Sequence, residues 1–115
     1  MNVTIYHNPR CGKSRQTLAL LRERGIEPTI IDYLADPPSA RELDRLLNLL
    51  KREPRELMRK GEKEYKAHHL DAADLSREAL IRAMVEHPIL IERPIVLANG
   101  KAALGRPPEQ VLDIL

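Results

Sequence analysis

Cys11 is the only cysteine in the 115-residue chain, and it stands in the run HNPRCGKSR, residues 7–15. A lone thiol cannot close a disulfide within the chain, so it is either inert packing or chemistry. Pro, Arg, Gly, Lys and Ser are poor company for a buried cysteine that packs as a small hydrophobe. The run also lies where a strand-like pattern gives way to a helix-like one. A sulfur at a helix N-terminus meets backbone N–H groups that have no intrahelical partner, and the helix dipole there favours an anion. With Arg10, Lys13 and Arg15 alongside, the thiol pKa is expected to fall from about 8.5 toward the roughly 3.5–7.5 range of reactive cysteines. The same N–H groups would cradle an oxyanion. Cys11 is the candidate nucleophile.

The letters around Cys11 narrow the chemistry. A dithiol oxidoreductase carries a second cysteine where Ser14 stands, and that cysteine resolves the mixed disulfide formed by the first. Ser14 can only donate or accept a hydrogen bond, so an oxidised Cys11 must be resolved by an outside thiol. A phosphatase-type C-x-x-x-x-x-R loop fails, because Thr17 occupies the arginine position. Cys11-Gly12-Lys13-Ser14 matches the C-G-x-S of monothiol glutaredoxins, which can bind an iron–sulfur cluster with glutathione. Lys13 stands where those proteins favour an aromatic. Metal binding is not expected elsewhere either. His68 and His69 are adjacent, so on a helix they diverge, and no second cysteine joins them. His87-Pro88 reads as a helix stop.

The elements that must position Cys11 follow from local patterns. Residues 2–6, NVTIY, are β-branched and aromatic enough for a strand, which Asn8-Pro9 ends. A helix is predicted from about Cys11 to Arg24, with Gly25 just past its end. A second strand, TIIDY (29–33), completes a βαβ unit, which requires a parallel pair with a right-handed crossover. Ser39 and Glu42 read as a capping box for a helix carrying Leu43, Leu46, Leu47 and Leu50 on one face. Pro54 can begin a short helix that Gly61 ends, and Ser76 caps another over about Arg77 to Glu86. Asn99-Gly100 between PIVLA and KAALG is a hairpin signal. Pro107-Pro108 opens a last helix with Val111, Leu112, Ile114 and Leu115. The element order is βαβ, a helical insert at about 39–87, then ββα, in a single domain over 1–115. By analogy of element order this is an α/β thioredoxin-like architecture: a four-stranded mixed sheet flanked by helices.

Composition bounds the function. The length suits one domain that buries a core without staples. The formal charge is +2, and Tyr6, Tyr33 and Tyr65 are the only aromatics, so nothing offers the stacking platform of a single-stranded nucleic-acid binder. No apolar stretch approaches the ~20 residues of a membrane span, and no signal peptide is read at the N-terminus. One cysteine suits a reducing cytoplasm. Neither nucleic acid nor membrane is expected as a partner.

The segments HNPRCGKSRQTL (7–18), PTIIDYLADPPS (28–39), LMRK (57–60), HPILIERPIVL (87–97) and GRPPEQVL (105–112) together resemble the glutaredoxin-dependent arsenate reductases of the ArsC family. The resemblance runs from the first strand to the last helix. It implies that Cys11 attacks the arsenic of arsenate as a thiolate, that glutathione adds to the adduct, and that glutaredoxin removes the glutathione as arsenic is reduced to arsenite. Arg59, Arg93 and Arg106 match the family's oxyanion-contacting arginines. His7 matches a histidine that helps to hold the thiolate, and Ser14 a hydroxyl beside it. In the thioredoxin-like fold the proline before the third strand, here Pro94, is usually cis and lies against the active cysteine. No bound metal, flavin or nicotinamide is implied.

The residues make physical sense in these roles. A tetrahedral dianion held away from water needs several fixed donors, and guanidinium offers a planar fork for two oxygens. Arg59 falls at the end of the short predicted helix. Arg93 and Arg106 each precede a proline, which pushes them to an extended conformation. His7 has a plainer alternative as a strand-end residue donating to backbone. The chain departs from better-known arsenate reductases by ending soon after the last helix and by carrying Gly105 where they have a second cysteine. That second departure excludes an internal cysteine relay. Two other readings compete: an Spx-like regulator that binds RNA polymerase, which shares the fold, and a general glutathione-linked thiol oxidoreductase.

Overall fold

Val3–His7, a run of β-branched and aromatic residues, forms the central strand β1 of a four-stranded sheet. The computed structural model describes residues 2–115. The chain divides into two compact units: residues up to Asp36 together with Arg93–Leu115, and Pro37–Glu92. In the first unit β1 is followed by helix α1 (Gly12–Glu23), strand β2 (Thr29–Asp32), and later strands β3 (Ile95–Ala98) and β4 (Lys101–Leu104). The sheet order is β2-β1-β3-β4, with β1 parallel to β2 and antiparallel to β3, and β3 antiparallel to β4. This is the mixed sheet of the thioredoxin-like fold. β1 therefore sits inside the sheet, and its C-terminal end delivers the chain to Cys11.

The core of this unit follows from strand alternation. Val3 and Ile5 on β1, and Val96 and Ala98 on β3, share one face with Leu18 and Leu21 of α1. Val111 and Ile114 close the cluster from a 3-10 helix over Pro108–Ile114. The sequence predicts an ordinary helix there. The segment, with Pro107 as its N-cap and Pro108 as its first residue, takes the tighter i→i+3 form, as the bonds from Gln110 N–H to the Pro107 carbonyl and from Leu115 N–H to that of Leu112 show. Asn99 satisfies one of its terminal carbonyls, donating from Nδ2 to the Ile114 oxygen at 2.8 Å.

Two turns behave as their glycines require. Helix α1 ends in a paired bond, Gly25 N–H to the Arg22 carbonyl and Ile26 N–H to that of Leu21, with Gly25 at φ +76°. The β3–β4 hairpin turns through Asn99 and Gly100 at φ +55° and +70°, the two-residue loop that matches strand twist.

The second unit is helical. α2 (Ala40–Leu50) is capped by Ser39, whose Oγ accepts the Glu42 N–H at 3.1 Å, and buries Leu43, Leu46 and Leu47. α3 (Lys63–Ala67) is a single turn with no buried residue, and hydrophobic periodicity gave it no signal. α4 (Arg77–Glu86) begins at Ser76, as expected, and packs on α2, where Arg77 pairs with Asp44 at 2.9 Å. His68 ends α3 and its ring stacks on that of His87, 4.2 Å between centroids. No described helix is long and apolar enough to cross a membrane.

One expected element changes form. Pro54 opens a 3-10 helix that stops at Leu57, well before Gly61. Met58 is extended and bridges Ile91, while Arg59 N–H donates to the Leu90 carbonyl and Glu92 N–H to that of Leu57, both at 2.7 Å. These pairings replace the next helical turn. Arg59 consequently sits on an extended segment rather than at a helix end.

Candidate active site

The loop between β1 and α1 is built around Asn8, which is buried. Its Oδ1 accepts the Arg10 N–H at 2.9 Å, its carbonyl accepts the Cys11 N–H at 3.0 Å, and its own N–H donates to Ser14 Oγ at 3.0 Å. The buried Asn8 thus has its backbone N–H, its carbonyl and its side-chain oxygen all hydrogen-bonded, as burial demands. Cys11 then falls at the N-cap of α1, with extended backbone, and its carbonyl accepts the Arg15 N–H. Its side chain makes no capping hydrogen bond, and the Lys13 and Ser14 N–H groups of the first turn act on the sulfur by favouring its thiolate.

The thiol's acidity reflects that position. Burial pushes Cys11 up. Against it act the Ser14 backbone N–H, the hydrogen bond and charge of the Arg93 guanidinium, and the Lys13 N–H, and together they hold the thiol below its ordinary value. The expected direction stands, but the cause is more specific than basic neighbours. Lys13 acts through its backbone rather than its ammonium, and Arg93, distant in sequence, replaces Arg10 and Arg15 as the cation involved. Arg15 instead donates from NH1 to the Pro9 carbonyl at 2.9 Å.

Arg93 and Arg106 arrive on the β3–β4 hairpin. Arg106 NH1 lies 4.0 Å from Cys11 Sγ and donates to the Arg93 carbonyl at 3.0 Å. Each precedes a proline through a cis peptide bond, Arg93–Pro94 and Arg106–Pro107; the sequence pointed to the first and not the second. Between these arginines Gly105 N–H donates to the Pro94 carbonyl at 3.0 Å. A Cβ on Gly105 would stand 2.4 Å from Thr17 Oγ1 and 2.8 Å from the Pro94 ring. Thr17 and Pro94 are both buried, so they leave this position no room for a side chain unless they move.

His7 and Ser14 form a pair beneath the loop, with Nδ1 and Oγ 2.6 Å apart. Ser14 is wholly buried and His7 nearly so. The hydroxyl thus lies between His7 and the Asn8 N–H, while the backbone N–H of the same serine serves the sulfur. Burial lowers the His7 pKa, with Arg22 and Arg15 adding to it and Asp32, its neighbour across β1–β2, opposing. Its imidazole is therefore neutral near pH 7.

Arg59 belongs to the second unit. Its NH1 meets Glu92 at 2.8 Å and its Nε meets Glu62 at 3.3 Å. Burial lowers its pKa, and the two carboxylates more than offset this, so the guanidinium stays charged. Asn8, Thr17 and Glu92 were not singled out from sequence. Asn8-Pro9 looked like a strand stop, and nothing local marks Thr17 or Glu92 as partners of residues so far away in the chain.

The ArsC family model matches residues 6–114. An Escherichia coli K12 protein, YfgD, whose function is uncharacterized, is 58% identical over 114 residues, covering 98% of this chain and 96% of that protein. The arsenate reductase of Neisseria meningitidis serogroup A is 49% identical over 114 residues, covering 98% and 97%. Among solved structures, the arsenate reductase from Vibrio cholerae is 57% identical with a TM-score of 0.97, covering 100% of this chain and 98% of that one. A match over nearly the whole length, in sequence and in fold, leaves one conclusion: the chain belongs to the ArsC family.

Proposed function

We propose that this protein is an arsenate reductase that takes its electrons from glutathione and glutaredoxin. The observation that carries the reading is the thiol of Cys11, held below its ordinary pKa among the Ser14 N–H and Arg93, with Arg106 NH1 4.0 Å from the sulfur. A nucleophile and oxyanion donors share one small volume. Arsenate needs both at once.

The cycle balances with two thiols. The Cys11 thiolate attacks arsenic, an As–S bond forms, and an oxygen leaves as water after protonation. Arg93, Arg106 and the α1 N–H groups carry the negative charge of the remaining oxygens, with Arg59 proposed as a third arginine. Glutathione displaces a second oxygen as water, which places its sulfur on the same arsenic. Glutaredoxin then attacks the glutathione sulfur, a mixed disulfide leaves, and the As–S electron pair stays on arsenic, reducing it from As(V) to As(III). Water releases arsenite from Cys11. The net reaction is arsenate plus two thiols giving arsenite, one disulfide and water, and it is complete without a bound cofactor. His7 and Ser14 hold the turn that aims the thiolate. Such a cycle belongs in a compartment that keeps thiols reduced, the cytoplasm.

The test is arsenite formation by purified protein with arsenate, glutathione and glutaredoxin, with Cys11→Ser as control. Turnover that needs Cys11 and both thiol partners supports the reading. RNA polymerase binding without turnover would replace it with a regulator, and glutathione exchange without arsenite would replace it with a general thiol oxidoreductase.

A further inference from the structure

Within the second unit Arg59 already holds two carboxylates, and it holds them differently. The bond to Glu92 is set by the backbone. Leu57–Arg59 and Leu90–Glu92 run as a short antiparallel pair about the Met58–Ile91 bridge, with Arg59 N–H on the Leu90 carbonyl and Glu92 N–H on that of Leu57. In that register Arg59 and Glu92 are diagonal neighbours on one face, within reach of long side chains. NH1 accordingly meets Glu92 Oε1 at 2.8 Å. The bond to Glu62 is looser. Glu62 lies across a turn closed by its own N–H on the Arg59 carbonyl at 3.2 Å, and its Oε1 stands 3.3 Å from Nε. An i,i+3 pair with side chains 27% and 29% exposed contributes little. Glu62 is also the N-cap of α3, but its side chain makes no capping bond, so leaving Arg59 costs the helix no cap.

The nitrogens engaged decide what a further anion can do. A guanidinium offers an oxyanion two forks, Nε with NH2 and NH1 with NH2. Glu62 takes one arm of the first fork and Glu92 one arm of the second. A two-pronged bond to any other anion therefore requires one carboxylate to leave, and the longer, more weakly held one is Glu62.

We propose that Glu62 is a competing carboxylate that sets the protein's affinity for oxyanions: it occupies the Nε–NH2 fork of Arg59 until an oxyanion displaces it, while Glu92 keeps NH1 and with it the pose of the guanidinium. This deepens the arsenate reading above and rests on it for Arg59 as an oxyanion-binding arginine. One guanidinium between two carboxylates carries a net negative charge, which opposes a dianion until Glu62 swings away.

The test is sulfate binding by the whole chain, followed by calorimetry, which needs no turnover. Glu62→Gln should bind sulfate at least about three-fold more tightly than the parent, whereas structural damage would weaken binding. Glu64→Gln makes the same charge change two residues further on, and should stay within about two-fold of the parent. In an Arg59→Ala background Glu62→Gln should also change the affinity by less than about two-fold, because the fork is gone. With arsenate the gain should appear in KM rather than in kcat. Sulfate binding that is unchanged, weaker or undetectable in Glu62→Gln overturns the proposal. So does an equal gain in Glu64→Gln, which would mean general charge attraction only, or a gain that survives in Arg59→Ala. If the parent makes no arsenite but sulfate affinity follows Glu62 through Arg59, the competing carboxylate stands and the arsenate reading falls. If the parent makes arsenite while Glu62→Gln binds sulfate as the parent does, only the arsenate reading stands.

Discussion

Arg106 reaches across the open end of the β3–β4 hairpin and donates to the Arg93 carbonyl at 3.0 Å. The register explains why these residues meet. Ile95 faces Leu104 in the ladder, Gly105 N–H continues it onto the Pro94 carbonyl, and one step further places Arg93 opposite Arg106. Two guanidiniums at one end of a hairpin repel each other unless an anion lies between them. Cys11 supplies one as thiolate, and a tetrahedral oxyanion would supply a larger one.

Removing either arginine should therefore weaken arsenate use. Charge-assisted hydrogen bonds are worth about 1.5–3 kcal/mol each, so Arg93→Ala or Arg106→Ala should cost roughly ten- to a hundred-fold in kcat/KM for arsenate. Lysine should recover only part, because it keeps the charge and loses the fork. Arg59→Ala should also lower arsenate use. Since Arg59 is held by Glu92 and Glu62, while Arg93 acts on Cys11 and Arg106 NH1 lies 4.0 Å from its sulfur, Arg93→Ala and Arg106→Ala, unlike Arg59→Ala, should also raise the alkylation midpoint of Cys11. Steady-state kinetics and alkylation rates on the same variants check both statements. Parental arsenate reduction in all three alanine variants would remove the arginines from the site.

The pH dependence has a definite sign. The Cys11 pKa is lowered in the folded chain. Between the folded and unfolded values the unfolded chain holds a proton that the folded chain has lost, so stability rises with pH across that window. The benefit is full above the unfolded thiol value of about 8.5 and disappears as pH falls through the folded value. Iodoacetamide alkylation should show its midpoint below about 8.5, and the parent should gain stability over Cys11→Ser as pH rises through the window. Ser14→Ala divides the serine's contributions. It leaves the backbone N–H on the sulfur and strands the buried Asn8 N–H, so it should cost about 1–3 kcal/mol of stability with little change in the midpoint. A midpoint that moves up to the free-thiol value in Ser14→Ala would show instead that the hydroxyl supports the thiolate.

Much of this site was legible because its signals are local. Cys11 at a strand-to-helix junction, Gly25 past the helix end and Asn99-Gly100 in the hairpin each carry their conformation in two or three letters. The four-stranded mixed sheet followed from the βαβ and hairpin units together, and the strand order came only with the structure. What escaped is set by tertiary pairing. Nothing near Arg93 announces that it will outrank Arg10 and Arg15 as the cation on Cys11. Leu57–Arg59 is extended because Leu90 and Glu92 offer it backbone partners, against the helical expectation from Pro54. Thr17 looked like one more helix residue until it met Gly105.

That meeting gives the last prediction. Thr17 is fully buried on α1, its Oγ1 bonded to the Lys13 carbonyl at 2.8 Å, and an added Cβ on Gly105 would fall 2.4 Å from that oxygen and 3.1 Å from Thr17 Cγ2. Gly105→Ala must push apart α1 and the strand end that carries Arg106, and overpacking of this kind costs about 1–3 kcal/mol. Because the displaced strand end also holds Arg93 through Pro94, arsenate use should fall together with stability. Thr17→Ala removes both of the threonine contacts and leaves the Pro94 ring at 2.8 Å. In the double variant the two changes should therefore couple: Gly105→Ala should cost less in the Thr17→Ala background than in the parent, by at least about 0.5 kcal/mol. Urea unfolding of the four proteins measures the coupling, and their arsenate kinetics should recover in the same order. Strict additivity would mean that Gly105 is accommodated by moving Pro94 instead, and the helix would then have no part in fixing where Arg106 stands.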